Sequence, residues 1–288
     1  MAEVPKPTAR KNDVCVRIVA TTVTASDCIV RRFDVPLRLR LPMALALGFG
    51  KPRNPILGLV MSGEVESTGV NVTRFKIGDE VFAFTEFRMG SYADYICLPE
   101  SALMAPKPSN VSYGEAAAVP YGGMLALCFI RKAKLQRGQR VLVYGASGSV
   151  GTAAVQLARH FGAAVTGVCS AANLEMVKAL GAETVVDYTS EDFTTRPERY
   201  DLVFNAVGKR KATLQCEGAL TPGGKHMTVD DGLAKLRMED LVLLKELVEA
   251  GSFKPVIDRT YSLEEMVEAH RYVDKGHKKG NVVISVAA

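Results

Sequence analysis

The sequence contains no tryptophan and only four histidines among its 288 residues. Its six cysteines are widely spaced, and no two of them form a C-x-x-C pair. The histidines stand at positions 160, 226, 270 and 277. Structural and catalytic zinc sites use His and Cys ligands at short, characteristic spacings. The sequence therefore predicts no metal centre.

Targeting and membrane segments are also lacking. Residues 1–13 have no apolar signal core, and no apolar run has the length of a membrane span. Residues 37–49 mix apolar and basic side chains, which favours a packed segment over a membrane-surface patch. Several cysteines lie inside apolar runs, which predicts buried free thiols and a protein of a reducing compartment. We therefore expect a cytoplasmic protein without a membrane partner.

An excess of charge is absent too, since the formal net charge is only +5. The basic pairs Arg38/Arg40 and Lys278/Lys279 lack the interleaved aromatic residues of a nucleic-acid surface. A chain with 48% apolar and 23% charged residues is typical of a soluble globular protein, and its length allows two domains. We expect no nucleic-acid partner.

The most informative stretch is residues 140–170. Its apolar run at 141–144 predicts a strand buried on both faces of a parallel sheet. Glycines 145, 148 and 151 follow at the spacing G-x-x-G-x-x-G, and an amphipathic helix and a second buried strand come next. The whole stretch predicts one β-α-β unit.

Glycines in such a turn let backbone N–H groups approach a pyrophosphate at the positive end of the helix. In a strand–turn–helix context they indicate a dinucleotide site. The residues assigned to the pyrophosphate are Gly145, Ser147, Gly148, Ser149 and Val150. A parallel α/β unit that binds no nucleotide is the alternative.

The end of the second strand favours NADP over NAD. NAD sites usually place an Asp or Glu there to bind the ribose 2′-hydroxyl. Here the segment from Cys169 to Asn173 has no acidic residue. A carboxylate would repel the 2′-phosphate of NADP, whereas Ser170 and Asn173 can donate hydrogen bonds to it.

The rest of the chain predicts two kinds of domain. Short strands at 14–20, 57–67, 80–84 and 92–98 with glycine turns predict a small, mostly β domain, with an irregular segment at 21–56. A capping box at Ser112–Glu115 opens the alternating part. Its predicted elements are helices 174–180, 209–218 and 238–250 and strands 184–187, 201–205 and 225–229. A capping box at 262–265 starts a further helix, and strand 281–286 is expected to return to the first domain.

Several stretches together resemble one known superfamily. They read ATTVTASD (20–27), GEVESTG (63–69), RFKIGDEVFAF (74–84), VPYGGMLAL (119–127), VLVYGASGSVGTAAVQLA (141–158), ALGAETVVDY (179–188), FNAVG (204–208), LTPGGK (220–225) and GHKKGNVVI (276–284). The chain is similar to the medium-chain dehydrogenase/reductase superfamily, and within it to the zinc-independent quinone oxidoreductases.

This resemblance implies an α/β fold with two domains. A GroES-like, mostly β domain would comprise residues 1–112 with 254–288. A Rossmann domain, a doubly wound parallel sheet, would comprise residues 113–253, with NADPH in the cleft between the two. The resemblance also places Tyr188 beside the adenosine end of the cofactor. It places Asn205, Ala206, Val207 and Gly208 along the middle of the cofactor.

Zinc-dependent members of the superfamily carry metal ligands at three places. This chain has Thr24 at the first, Leu59 and Val60 at the second, and Tyr121 and Gly122 near the third. The four-cysteine lobe that binds a structural zinc is also absent. The resemblance therefore agrees with the prediction of no metal.

Two departures from the superfamily pattern concern partners. Relatives usually have a β hairpin before the residues that match Val4, and a helix and edge strand where this chain has only residues 230–237. That edge strand commonly pairs two subunits. The resemblance implies a homodimer, and the short connection removes the usual means of forming it.

Without a metal, hydride from the cofactor needs an activated acceptor. Quinones and α,β-unsaturated carbonyl compounds qualify, because conjugation spreads the developing charge. A protein hydrogen bond to the acceptor oxygen would help. The candidate donors are Thr24, Ser26 and Tyr121, with Asp27 orienting them. For each, a structural hydrogen bond in a loop is the alternative.

The leading hypothesis is thus an NADPH-dependent reductase of quinones or enones. A carbonyl or alcohol dehydrogenase of the same superfamily is the second hypothesis, and the missing metal ligands argue against it. A non-catalytic NADPH-binding sensor is the third. NADPH consumption with quinones, enones and ketones distinguishes all three.

Overall fold

The computed structural model describes residues 3–34, 37–48, 53–208, 216–231 and 234–286. Contacts divide the chain into two compact units. Unit 1 comprises Met1–Tyr121 with Ile257–Ala288, and unit 2 comprises Gly122–Val256.

Within the described residues the strands are β1 (Asp13–Val23), β2 (Val60–Thr68), β3 (Glu80–Phe84), β4 (Tyr95–Pro99), β5 (Leu103–Pro106), β6 (Arg140–Tyr144), β7 (Ala164–Cys169), β8 (Thr184–Asp187), β9 (Tyr200–Asn205), β10 (Leu220–Thr228), β11 (Ile257–Ser262) and β12 (Asn281–Ser285). The α-helices are α1 (Ala25–Arg32), α2 (Leu37–Leu47), α3 (Tyr113–Ala118), α4 (Pro120–Ala133), α5 (Ser149–His160), α6 (Leu174–Ala179), α7 (Met238–Glu249) and α8 (Met266–Asp274).

The first boundary between the units lies later than the predicted one, after residue 121 instead of residue 112. The reason is that α3 packs on strands β1, β2 and β12 of unit 1. Ser62 Oγ donates to the carbonyl oxygen of Tyr113 at 2.5 Å, and the Tyr113 hydroxyl donates to Glu80 Oε1 at 2.6 Å. These contacts attach the start of the helical stretch to unit 1.

Unit 1 contains a seven-stranded sheet within the described part of the chain, in the order β11-β12-β1-β2-β3-β5, with β4 paired to β1. β12 is antiparallel to β1, so the predicted return of the last strand to the first domain is confirmed. One face of β1 is apolar, because Val14, Val16 and Ile18 alternate inward. They pack on Met61, Val81, Leu98 and Met104, each fully buried, which contributes ~1.5–3 kcal/mol per side chain.

Unit 2 contains a five-stranded parallel sheet, in the order β10-β9-β6-β7-β8, among the described residues. β6 lies between β7 and β9. The chain leaves β6 to build β7 and β8 on one side, then crosses to build β9 and β10 on the other. The order therefore reverses between β6 and β9. In open parallel sheets, ligands bind beyond the carboxyl ends of the strands at such a switch point. The predicted fold class is confirmed.

Several local predictions were wrong. Residues 21–56 are not irregular, because α1 and α2 occupy much of this segment. β5 and β11, both short, were not predicted. Of the predicted helix 209–218, residues 209–215 lie outside the described residues, and Glu217–Ala219 form a single 3-10 turn. The capping box at Ser112–Glu115 is confirmed in full.

One described helical stretch, Tyr113–Ala133, is long and apolar enough to cross a membrane by length and composition alone. Most of it is buried inside the protein, and core helices of soluble proteins pass the same test.

Candidate functional site

The turn from β6 to α5 is shaped by two glycines. Gly145 has φ 76°, in the left-handed region that a Cβ disfavours, and a Cβ there would lie 2.4 Å from Val207 Cγ2. A Cβ on Gly151 would lie 2.0 Å from the carbonyl oxygen of Gly145. Glycine at both positions is therefore required for the helix to start this close to the strand.

Gly148 has a different role in the same turn. Its φ of −79° is open to any residue, and the nearest atom to an added Cβ is the Gly145 oxygen at 3.6 Å. Gly148 is the N-cap of α5 and offers no capping side chain. Because the first N–H groups of a helix have no intrahelical acceptor, the start of α5 favours an anion. The residues predicted to bind a pyrophosphate all lie on this turn: Gly145, Ser147, Gly148, Ser149 and Val150.

Ser170 and Asn173 follow β7, at the same edge of the sheet. Asn173 Nδ2 donates to Ser170 Oγ at 3.1 Å. Asn173 is buried, whereas Ser170 is half-buried. Since the serine oxygen accepts this hydrogen bond, its hydroxyl hydrogen can donate to an outside acceptor. Both residues were predicted to contact a 2′-phosphate. The structure places Asn173 behind Ser170, where it orients the hydroxyl.

Tyr188 follows β8 next to this pair. Its backbone N–H donates to the carbonyl oxygen of Cys169 at 3.2 Å. Its ring is 46% exposed and lies 6.0 Å from the ring of Tyr144. An exposed aromatic face beside Ser170 suits a planar base.

The loop after β9 is held by an Asx turn. Asn205 is fully buried, and its Oδ1 accepts from the N–H groups of Val207 at 3.0 Å and Gly208 at 3.1 Å. The N–H of Ala206 donates to the carbonyl oxygen of Tyr144 at 3.0 Å. The loop therefore lies against the glycine turn, because Tyr144 is the last residue of β6. The four predicted residues of this loop and the glycine turn meet at the switch point of the sheet.

In unit 1, polar groups gather where β1 passes into α1. Thr24 is the N-cap of α1, and its Oγ1 donates to Asp27 Oδ2 at 2.6 Å. The backbone N–H of Thr24 donates to the same oxygen at 2.8 Å, and the N–H of Asp27 donates to Thr24 Oγ1 at 3.1 Å. These bonds form a reciprocal capping box. The hydroxyl hydrogen of Thr24, one of the predicted donors, is therefore already used in the hydrogen bond to Asp27.

Ser26 and Tyr121 form a second hydroxyl pair in unit 1. Ser26 Oγ lies 2.9 Å from the Tyr121 hydroxyl oxygen, and either can be the donor. The Tyr121 ring stacks on Phe84 with ring centres 6.2 Å apart. Burial raises the pKa of Tyr121, so the phenol keeps its proton at neutral pH. Because one of these two hydroxyls donates to the other, the pair has one hydroxyl hydrogen left to donate to an acceptor.

Asp27 is fully buried in unit 1, and burial raises its pKa to about 6 against the hydrogen bonds from Thr24. Its Oδ1 has no hydrogen-bond partner among the described residues. Tyr92 lies near Asp27 and is not among the predicted site residues. Burial and the nearby Asp27 charge raise the pKa of Tyr92, and its hydroxyl donates to the Thr22 carbonyl oxygen at 3.3 Å. No sequence motif marks Tyr92, because its partners are distant along the chain.

Comparison with known proteins agrees with this geometry. Residues 10–109 match the family model of the alcohol dehydrogenase GroES-like domain, and residues 149–269 match that of the zinc-binding dehydrogenase. The chain is 32% identical to the 2-methylene-furan-3-one reductase of Solanum lycopersicum, over 98% of this chain and 74% of that protein. The chain belongs to the medium-chain dehydrogenase/reductase superfamily.

Other members are similar over most of their length. The NADPH-dependent alkenal/one oxidoreductase of Arabidopsis thaliana is 28% identical over 96% of this chain and 73% of that protein. The structure of the quinone oxidoreductase from Coxiella burnetii superposes with a TM-score of 0.87 at 28% identity, covering 99% of this chain and 93% of that one. The predicted resemblance to the quinone oxidoreductases is confirmed.

The side chains at the positions that the superfamily resemblance assigns to zinc ligands do not fit a catalytic zinc. By this resemblance, the positions of the zinc ligands are occupied here by Thr24, Leu59, Val60 and Tyr121. The Thr24 hydroxyl already donates to Asp27, and the side chains of Leu59 and Val60 are aliphatic, so these residues are poor ligands for zinc. Across the parts of the chain that the structure describes, no three His, Cys, Asp or Glu side chains come together as metal ligands.

Proposed function

We propose that the protein is an NADPH-dependent oxidoreductase that reduces quinones or α,β-unsaturated carbonyl compounds without zinc. The observation that carries this proposal is the glycine turn at the switch point of the unit 2 sheet, which leads into the uncapped start of α5. The relatives named as quinone and enone oxidoreductases support the acceptor class.

Unit 2 supplies the groups for the dinucleotide. The turn at Gly148 can place backbone N–H groups against a pyrophosphate. The absence of an acidic residue after Cys169, together with the hydroxyl of Ser170, favours a 2′-phosphate over a free 2′-hydroxyl. When bound, NADPH supplies the hydride.

Unit 1 supplies the hydroxyl groups for the acceptor. Reduction of a conjugated carbonyl compound places negative charge on its oxygen, and a donor aimed at that oxygen stabilises the transition state. The pair formed by Ser26 and Tyr121 retains a proton for this purpose. Thr24 and Asp27 fix the start of α1 and so position Ser26 between them.

NADPH consumption by the purified protein tests this function. We expect oxidation with a quinone such as 1,4-benzoquinone and with an enone such as methyl vinyl ketone. We expect none with saturated ketones, and rates unchanged after incubation with a chelator. Faster reduction of saturated ketones, or loss of activity with the chelator, would instead support a metal-dependent dehydrogenase.

The same assay separates the enzyme from a sensor. Tight NADPH binding without oxidation by any acceptor would contradict the proposed reaction while leaving the cofactor site intact. Failure to bind NADPH at all would contradict both.

A further inference from the structure

Two cysteines lie directly opposite each other on neighbouring strands of unit 1. β1 and β4 are antiparallel, and their register pairs Cys15 with Cys97. All six cysteines of the chain are free thiols. Neither Cys15 nor Cys97 belongs to the candidate functional site described above, so the pair needs a separate explanation.

The backbone hydrogen bonds show which kind of ladder position the two cysteines occupy. The N–H of Ile18 donates to the Asp94 oxygen at 2.8 Å, and the N–H of Glu100 donates to the Asn12 oxygen at 2.9 Å. Hydrogen-bonded and non-hydrogen-bonded pairs alternate along an antiparallel ladder. Each of these bonded pairs is three positions from the cysteines, which therefore form a non-hydrogen-bonded pair.

This position suits a disulfide. Cα atoms of a non-hydrogen-bonded pair lie about 4.5 Å apart, with their side chains closer than at bonded positions. Disulfides span Cα separations of about 4.4–6.8 Å. Strand pairing alone therefore brings the two sulfur atoms within bonding reach without displacement of the backbone.

Both side chains also point to the same face of the sheet. Val14, Val16, Ile96 and Leu98, their neighbours on the two strands, point into the unit 1 core. Because side chains alternate along a strand, the two cysteines project from the opposite face.

The two thiols differ in how accessible they are. Cys15 is buried, and its thiol donates to the Pro7 oxygen at 3.7 Å. Cys97 is half-buried and lines a cavity of about 930 Å³, together with Thr8, Arg10 and Asp13. An outside reagent therefore meets Cys97 first, and Arg10 offers a positive charge to an anionic one.

We propose that Cys15 and Cys97 are a reversible thiol-modification site that closes into a cross-strand disulfide by exchange with a glutathione-type disulfide. The thiolate of Cys97 attacks one sulfur of the glutathione disulfide and releases one glutathione thiolate, leaving a mixed disulfide on Cys97. The thiolate of Cys15 then attacks the Cys97 sulfur and releases the second glutathione. The protein loses two electrons to the reagent, and the two thiol protons pass to the two glutathione molecules.

Local electrostatics predict how fast the first step runs. Burial, followed by the hydrogen bond and charge of Cys15 and the charge of Asp13, raises the pKa of Cys97 above its usual range, and Arg10 opposes this. The attacking thiolate is therefore a small fraction at neutral pH, and its population grows about tenfold per pH unit. The pair is a slow-reacting site that responds to sustained oxidation.

The disulfide would stabilise the attachment of β4. Within the described residues, β4 pairs only with β1, and the crosslink joins these two strands. Closing the long loop between them also restricts the unfolded chain. We expect the oxidised protein to melt at a higher temperature than the reduced protein, with reversal by dithiothreitol.

Treatment of the reduced protein with glutathione disulfide tests the proposal. Thiol titration of the unfolded chain should fall from six to four, that is 6 − 2, and non-reducing peptide mapping should join the peptides of Cys15 and Cys97. Six remaining thiols, or glutathione retained on wild-type Cys97 without a crosslink, would overturn it.

Variants separate the two steps. Cys15→Ser should trap one glutathione on Cys97, Cys97→Ser should take up none at either position, and Cys128→Ser, a buried cysteine of α4, should still form the crosslink. Should a variant prove insoluble, the wild-type peptide map decides alone. None of these readouts depends on NADPH or on the proposed reaction.

Discussion

At the scale of single residues, two glycines of the same turn have separable roles. Gly148 has an ordinary φ and free space around its Cβ position, whereas a Cβ on Gly151 would lie 2.0 Å from the Gly145 oxygen. A side chain at position 148 would therefore occupy the space of the phosphates without straining the fold. A side chain at position 151 would push the helix away from the strand.

We therefore expect Gly148→Val to weaken NADPH binding by at least about 100-fold, with stability changed by less than about 1 kcal/mol. Gly151→Ala should lower the free energy of unfolding by about 1–3 kcal/mol. Isothermal titration and urea unfolding measure the two effects. Unchanged NADPH affinity in Gly148→Val would show that the phosphates bind elsewhere.

The choice of cofactor depends on Ser170. A carboxylate in its place would repel the 2′-phosphate of NADPH and accept a hydrogen bond from the 2′-hydroxyl of NADH. We expect Ser170→Asp to shift the ratio of kcat/KM values toward NADH by about 10-fold or more. Ser170→Ala, the control, should weaken NADPH binding without improving NADH. An unaltered ratio in the Asp variant would remove Ser170 from the 2′-phosphate site.

Tyr121 is a candidate hydrogen-bond donor to the substrate oxygen, because its hydroxyl pairs with Ser26 Oγ and burial raises its pKa. Replacing it by Phe removes the hydroxyl and keeps the stacking on Phe84. We expect Tyr121→Phe to lower kcat about 10- to 100-fold with NADPH affinity unchanged. Tyr113→Phe provides a matched control, because the Tyr113 hydroxyl bonds to Glu80 and serves no proposed catalytic step. Equal rates in the two variants would exclude Tyr121 as the donor.

At the scale of elements, the sequence predicts best where chemistry and periodicity agree. The β6–α5–β7 unit was predicted because an apolar run, a glycine turn and a helical stripe occur in succession. α2 was not, because the alternating letters LRLRL read with the period of a strand, and Pro42 lies inside the helix. The sequence period of this segment is that of a strand, whereas the segment forms a helix.

α1 was overlooked although Thr24 and Asp27 have the spacing of a capping box. The helical pattern of α1 is short and contains few apolar residues, so the sequence alone gives a weak helix signal. Packing against the rest of unit 1 stabilises the helix. Cys28, on α1, lies 3.5 Å from the Nδ1 of His270 on α8, a contact that spans 242 residues of sequence. Such a contact leaves no local signal.

The capping box gives a prediction for α1. Thr24→Ala removes the acceptor of the Asp27 N–H and one donor to the Asp27 carboxylate. We expect a loss of about 1–2 kcal/mol in the free energy of unfolding. Thr24→Ser retains the hydroxyl and should lose less than half of that. Equal losses in urea unfolding would mean that the Thr24 methyl group, not its hydroxyl, matters.

At the scale of the whole molecule, the alternation of strands and helices predicted a mostly β part and an α/β part, and the chain divides into two compact units. The alternation could not place their boundary, because that depends on which sheet α3 packs against. Within the candidate site, the glycine spacing predicted the residues of the turn, and the superfamily resemblance predicted those of the Asn205 loop. Motifs could not show that Asn173 lies behind Ser170 or that Thr24 is committed to Asp27. Those relations depend on side-chain contacts.

The pH dependence of stability follows from two buried groups of unit 1 with opposite signs. Burial raises the pKa of Asp27 from 3.8 to about 6. Between these two values the folded state binds the Asp27 proton and the unfolded state does not, so the contribution of Asp27 to the free energy of unfolding falls as the pH rises. Burial, then the charge of Arg31, lowers the pKa of His270 from 6.5 to about 4 against the charge of Asp274. The unfolded state therefore binds more protons there, and the contribution of His270 rises with pH.

The two slopes oppose each other between about pH 4 and 6, each amounting to about 3 kcal/mol at about 1.4 kcal/mol per unit. Removing one group should leave the pH dependence of stability that the other group causes. Relative to wild type, Asp27→Asn should gain stability from pH 4 to 7, because its remaining His270 favours neutral pH. His270→Gln should lose stability over the same range, because its remaining Asp27 favours acid. Urea unfolding at several pH values measures both, and slopes of the same sign in the two variants would contradict the opposed titrations.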